Sequence, residues 1–400
     1  MAKPGKSALI FFILFGAMFI FGYIENIKGV TYPLIKADFT ISYEQQGVMV
    51  SVLSFSYVLF CLVGGILIGS QGVKKTLSLG FAFMILGLIG ACFLPRFLMV
   101  AASLFAISAA FGVFEVSINA LATQVFTARA ALLMSLLHFF YGVGSSFSPR
   151  IAGVISASFD WRYVYLFSVP LVVVLFMPSF FTRFPRTDTE ESAGKKKFSF
   201  MKALKTPMVW IFSLVLGLMV AVELCSANWG GLYFKDVYHL DPKTSGAGFI
   251  SNFYILFTIS RLASGFAIEK IGYMRSLFII TLGTVLVFTV GFSLGAQGIY
   301  VLPGLGFFTA AFWPTLIATA MGYFKEDSPV MTSAMIVIAG AINSCLQFAA
   351  GFINRFIGPA WGYRSFLFYT LLIIAALIVL TRRMRNPYKQ AAENPADLPE

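Results

Sequence analysis

Twelve runs of about twenty mostly apolar residues, each long enough to cross ~30 Å of hydrocarbon as a helix, leave this chain few ways to fold. With approximate edges they are Ser7–Pro33, Glu44–Gly69, Thr76–Leu94, Phe97–Phe126, Ala130–Ile155 and Trp161–Arg183. After a polar stretch come Pro207–Phe234, Ser245–Ile268, Met274–Leu294, Gly298–Phe324, Pro329–Ile357 and Tyr363–Leu380. No water reaches the backbone in a bilayer core, so only helices that close their own hydrogen bonds, or a closed barrel, span it. A barrel needs ~10-residue strands of alternating polarity, and these runs do not alternate. Composition agrees: 58% of the chain is hydrophobic and 12% charged, against about 25% charge in soluble domains. The 35 Gly and 16 Pro lie inside apolar runs, where membrane helices tolerate them. The expectation is an all-α, multi-pass protein of the cell (inner or plasma) membrane. The first run is too long for a cleavable leader and lacks a small-residue cleavage site.

The net charge of +12 matters through its placement. Basic residues fall between apolar blocks with no aromatic-interleaved basic face, which argues against nucleic acid. With the amino terminus inside, nineteen Lys and Arg lie on the cytoplasmic face and six on the other; Lys28, Arg150, Arg261 and Arg355 lie within the membrane. That excess places both termini in the cytoplasm. The one long polar insert, 184–206, divides residues 1–183 from 207–385 as two six-helix bundles, with 386–400 a cytoplasmic tail. Its Lys195–Lys197 run suits contact with anionic lipid, with a regulatory site the lesser alternative. Cys61, Cys92, Cys225 and Cys345 stand singly in apolar runs and read as small hydrophobes. With two histidines and no Walker-type loop, neither a His-built metal site nor ATP is expected. Nothing signals oligomerisation, and a monomer is expected.

The halves repeat. Gly65, Gly69, Gly72, Lys74 and Lys75 follow the second run; Gly265, Glu269, Gly272 and Arg275 follow the eighth, at an offset of 200. Gly142 precedes Gly153 by 11 residues in the fifth run, and Gly340 precedes Gly351 by the same 11 in the eleventh. Parallel repeats imply two bundles related by an axis along the membrane normal, with a site between them near the midplane. On these motifs the chain resembles the major facilitator superfamily over essentially its full length. The resemblance implies an inner-side gate built from Gly265, Glu269, Gly272 and Arg275. The first half departs from the pattern, with Gly69 where the acid belongs, which implies a weaker or different gate there.

Three acids, Glu25, Glu115 and Glu223, lie inside apolar runs. A charge at the bilayer centre costs at least ~2.5–3.5 kcal/mol, so such residues are functional by default. Carboxyls out of water take up protons more readily, the property a proton-coupled carrier needs. Gly112, Glu115, Asn119 and Thr123 form one helical stripe. The spacing from Glu115 to Asn119 resembles the fucose–galactose–glucose proton symporter branch, implying proton coupling at Glu115 and a sugar contact at Asn119. A structural ion pair with Arg150 is the alternative. Leu137 to Pro149 also resembles that branch; His138, Gly142, Ser145, Pro149 and Gly153 share a face. His138 is either a proton relay or a neutral imidazole hydrogen-bonded between helices, and the glycines read as packing surfaces.

Gly22, Glu25, Asn26 and Gly29 line the first helix. The branch places its acid four residues before the terminal proline, where this chain has Gly29, with Glu25 one turn deeper. Glu25 is either a coupling residue or the partner of Lys28. In the seventh run Glu223, Ser226, Asn228 and Trp229 again resemble sugar-porter relatives: a carboxylate and an amide for hydroxyls, an indole for a C–H face. Trp229 also suits an interfacial anchor. Asn343, Gln347 and Asn354 form a stripe in the eleventh run, and Asn252 lies in the eighth. Trp313-Pro314 predicts a kink or gate. Arg261 and Arg355, towards helix ends on opposite sides, read as gate braces or snorkelling side chains, with substrate binding the lesser alternative.

The expected function is secondary active transport: proton-coupled uptake of a small polar solute, foremost a monosaccharide, by alternating access, with the proton as coupling ion and no cofactor. Uptake of a sugar acid or other organic anion and proton-driven efflux of amphipathic compounds are the rivals. No nucleophile–base pair supports an enzyme, and no soluble signalling domain supports a sensor.

Overall fold

The computed structural model describes residues 4–126, 130–185 and 200–384. Lys3, the Lys195–Lys197 run with the rest of 186–199, and the tail expected at 386–400 lie outside the described residues. The described chain is helical, with no strand among the described residues. Its α-helices are α1 (Pro4–Asn26), α2 (Lys28–Asp38), α3 (Tyr43–Gln71), α4 (Val73–Phe93), α5 (Phe97–Val125), α6 (Ala130–Ser158) and α7 (Arg162–Phe181). They continue as α8 (Phe200–Leu204), α9 (Pro207–Cys225), α10 (Gly231–Tyr238), α11 (Ala247–Ile271), α12 (Tyr273–Ser293), α13 (Gly304–Thr309), α14 (Phe312–Phe324), α15 (Ser328–Phe356) and α16 (Pro359–Met384). Among the described residues, ten helical stretches are long and apolar enough to cross a membrane. Helices α6 and α11, 29 and 25 residues long, stand beside those ten.

Three of the expected runs are not single helices. The first breaks at Ile27 between α1 and α2, the turn before Pro33, whose ring clashes with the Gly29 carbonyl and cannot donate to it. The seventh passes through a π-helical turn, Ser226–Gly230, and continues as α10 to Tyr238. The tenth is a 3-10 turn (Gly295–Tyr300), then α13 and α14, which meet at Ala310 and Ala311 just before Trp313-Pro314. Within the expected linker lies α8, where Lys202 Nζ meets Asp327 Oδ2 at 2.8 Å.

Each half packs its own core. One apolar cluster runs from Ile10 to Leu175 with Ala247 added; the other runs from Met208 to Leu380. Lipid supplies no hydrophobic drive for helices to associate, so close backbone approach matters more than bulk. The repeat shows in detail. Gly72 and Gly272 end α3 and α11 with φ of 85° and 89°. Their N–H groups donate to Ile68 and Ile268, while their carbonyls accept from the hydroxyls of Thr76 and Ser276 at 3.0 and 2.9 Å. Ser56 bonds the Phe105 carbonyl, as Ser260 bonds that of Phe307.

The halves meet through the 11-residue glycine pairs. Gly142 abuts Thr258, and Gly153 abuts the Lys243 carbonyl; Gly340 abuts Val58, and Gly351 touches Gly47. Added Cβ atoms would collide at all four. One end of the molecule is sealed by groups from opposite halves. Tyr43 Oη donates to Asp236 Oδ2 at 2.8 Å, Lys235 Nζ to the Pro33 carbonyl at 3.2 Å, and Arg150 Nη2 to Asn252 Oδ1 at 2.9 Å. Glu44 pairs with Arg355 at 3.3 Å, and Lys36 lies 4.2 Å above the Tyr43 ring. The other end, which carries the Gly72 and Gly272 turns, is open.

Candidate functional site

Between the halves lies a cavity of about 810 Å³ whose mouth, at the open end, is lined by Ser135, Gly265, Ile268, Glu269, Tyr273 and Met321. Its size falls within the ~300–1,000 Å³ of small-molecule sites. Three interior carboxylates that the sequence scatters over α1, α5 and α9 converge on it: Glu25, Glu115 and Glu223. Glu25 Oε2 accepts from Tyr141 Oη at 2.7 Å, and its other oxygen lies 3.6 Å from Lys28 Nζ. The Lys28 pair is therefore formed, and Tyr141, three residues beyond His138 on the same helix, is a partner that sequence reading did not assign. Glu115 Oε1 accepts from Asn119 Nδ2 at 2.9 Å, and the same amide also donates to the Glu115 carbonyl. Asn119 thus serves Glu115 and is not among the lining residues. Arg150, weighed as a partner for Glu115, bonds Asn252 instead. Glu223 has no hydrogen bond or ion pair among the described residues.

His138 lines the cavity from α6 and has no hydrogen-bond partner among the described residues, so it is not the helix-bridging imidazole that is the commoner arrangement. Arg261, expected to brace a gate or snorkel, lines the cavity too, its guanidinium 4.9 Å from the Phe257 ring centroid. Arg355, by contrast, reaches Glu44 across the sealed end.

The amides divide. Asn228, in the π-turn, and Asn343 line the cavity. Trp229 is neither an exposed anchor nor a lining residue: it is buried, with Nε1 donating to Gln347 Oε1 at 2.8 Å. Gln347 Nε2 in turn donates to Asn343 Oδ1 at 3.2 Å, so a buried relay fixes the amide that faces the cavity. Asn26 is fully buried against α6, donating to Gly22 O and Ser145 Oγ at 3.0 Å. Asn252 joins the halves at the sealed end, and Asn354 accepts from the Gly362 N–H at 2.9 Å. Asn26, Trp229, Gln347 and Asn252 therefore do not touch the cavity, each for want of a face turned to it. Gly265 and Glu269 line the mouth; Gly272 turns the chain there, and Arg275 is exposed beyond it. Trp313 lines the cavity beside the α13–α14 break.

A cavity between two repeated helical halves, ringed by interior carboxylates, defines a membrane transporter. Residues 14–335 match the Major Facilitator Superfamily, and the chain belongs to that family. It is a multi-pass protein of the cell membrane whose surroundings are lipid and whose substrate is a small molecule. The chain is 20% identical over 373 residues to the Protein TsgA homolog of Buchnera aphidicola subsp. Schizaphis graminum (strain Sg), covering 92% of this chain and 94% of that one. To Protein TsgA of Escherichia coli O157:H7 it is 22% identical over 337 residues, covering 82% and 81%. Its fold is similar to that of the nucleoside transporter NupG, solved as a point mutant, with TM-score 0.77 and 13% identity over 94% of this chain and 99% of that one. The E. coli fucose:proton symporter FucP, also solved as a point mutant, gives TM-score 0.67 and 16% identity over 95% and 100%.

Proposed function

We propose that the chain is a secondary active transporter that takes up a small, hydroxyl-bearing solute of monosaccharide size together with a proton. The observation that carries this reading is the convergence of Glu25, Glu115 and Glu223 on one inter-bundle cavity. A carboxyl that water can reach from one side at a time binds its proton on one face of the membrane and gives it up on the other. Asn228 and Asn343 supply donors and acceptors for hydroxyls, and aromatic side chains such as Trp313 supply faces for C–H surface. FucP, similar in fold, is a fucose:proton symporter, and NupG a nucleoside transporter. Twelve crossings with both termini cytoplasmic complete the proposal, supported by described basic residues such as Lys74, Lys75, Lys270, Arg275, Arg382 and Arg383 at the open end, the excess expected of a cytoplasmic face.

In this cycle a proton neutralises Glu115 on the outer side, solute binds, and the halves rock to the arrangement seen here. The test is transport in vesicles with an imposed inward proton gradient. Wild type accumulates the solute; Glu115→Gln loses gradient-driven accumulation yet retains exchange of labelled for unlabelled solute. Export of amphipathic dye in place of solute uptake overturns the reading.

A further inference from the structure

We propose that the solute carries a carboxylate and that Arg261 binds it; this rests on the uptake reading above and narrows the solute to a monosaccharide-sized hydroxy acid. The other cations within the bundle are spoken for. Lys28 lies 3.6 Å from Glu25, Arg150 bonds Asn252 at 2.9 Å, and Arg355 meets Glu44 at 3.3 Å. Arg261 lines the cavity and makes no ion pair or side-chain hydrogen bond among the described residues. It rests instead on the Phe257 ring, 4.9 Å from its centroid. Such stacking stabilises and orients the guanidinium plane but leaves the N–H edge free. That edge is a planar fork of donors matching two carboxylate oxygens, whereas a hydroxyl engages one donor. Arg261 is partly buried in the cavity wall, and a guanidinium there with no anion beside it is a ready partner for a carboxylate.

Charge balance says when. Apart from tyrosines, the ionisable groups sharing the cavity with Arg261 are Glu25 and Lys28 from α1 and α2, Glu115 from α5, His138 from α6 and Glu223 from α9; Glu269 stands exposed at the mouth. Lys28 and Glu25 cancel. Counting one of Glu115 and Glu223 as ionised, the other as protonated and His138 as uncharged, the empty cavity is neutral. A proton on that carboxylate leaves the Arg261 charge unbalanced, and a solute monoanion restores neutrality. One proton then travels with one carboxylate and no net charge crosses. A neutral sugar entering with the proton leaves the cavity charged.

The experiment uses the full chain in vesicles and matched solutes: glucose with gluconate and glucuronate, galactose with galacturonate. Under an inward proton gradient an acid accumulates at least about tenfold over its neutral partner, and an imposed inside-negative potential leaves its initial rate unchanged. Arg261→Gln lowers that accumulation at least about tenfold and removes the acid's thermal stabilisation, while Arg261→Lys, which keeps charge but not the fork, retains part of both. Preferential uptake of the neutral partners, acceleration by the potential, or an Arg261→Gln variant that still moves the acid at the wild-type rate overturns the assignment and leaves proton-driven uptake standing. Accumulation of no member, acid or neutral, overturns both.

Discussion

Tyr141→Phe removes one oxygen, and with it the 2.7 Å hydrogen bond to Glu25. Bonds to charged groups contribute ~1.5–3 kcal/mol, and phenylalanine fills the same space, so the protein should fold normally. Proton-driven accumulation should fall while solute exchange persists, as measured in vesicles with and without the gradient. Trp229→Phe acts differently. It leaves the Gln347 oxygen buried and unpartnered, a cost of ~1–3 kcal/mol, and should lower the apparent unfolding temperature by several degrees while loosening Asn343. At this scale the carboxylates were legible in the sequence because a charge inside an apolar run is conspicuous. The amides were not. Asn26, Asn252 and Asn343 look alike along the chain, and only packing sends one to Ser145, one to Arg150 and one to the cavity. Arg261 shows the same limit: its position near a helix end is visible in the sequence, but that its side chain lines the cavity is not.

The two halves touch through backbone. Gly351 touches Gly47, where an added Cβ would lie 2.7 Å from the Gly47 Cα. Overpacking costs ~1–3 kcal/mol, so Gly351→Leu should disfavour the sealed arrangement by about tenfold or more in population. The readout is labelling of a cysteine introduced at Gln46, fully buried at the sealed end, by a membrane-impermeant thiol reagent in a background without the native cysteines. Faster labelling is expected, with no change in the folded yield. The glycine spacing was readable because both halves carry it. The breaks were harder: Pro33 is plain in the sequence, but the helix yields at Ile27, upstream, and the π-turn at Ser226–Gly230 has no proline to announce it.

Two halves with separate cores, joined by glycine contacts and a polar closure, suit an equilibrium between arrangements in which one end or the other is shut. Tyr43→Phe deletes the bond to Asp236 and should raise the population opened at the sealed end by roughly tenfold or more, read by the same cysteine labelling. That such a closure exists was not legible in the sequence, since Tyr43 and Asp236 are 193 residues apart and belong to different halves. The fastenings have a further property. Glu44 and Arg355 keep 36% and 48% of their side chains in contact with solvent, so dissolved ions compete for them directly. Raising external sodium chloride from about 10 to 150 mM, which shortens the screening length from ~30 to ~8 Å, should speed that labelling in wild type and do so less in Glu44→Gln. A cell passing from dilute to briny surroundings would thereby alter how often the carrier presents itself outward, with neither a regulator nor a change in expression.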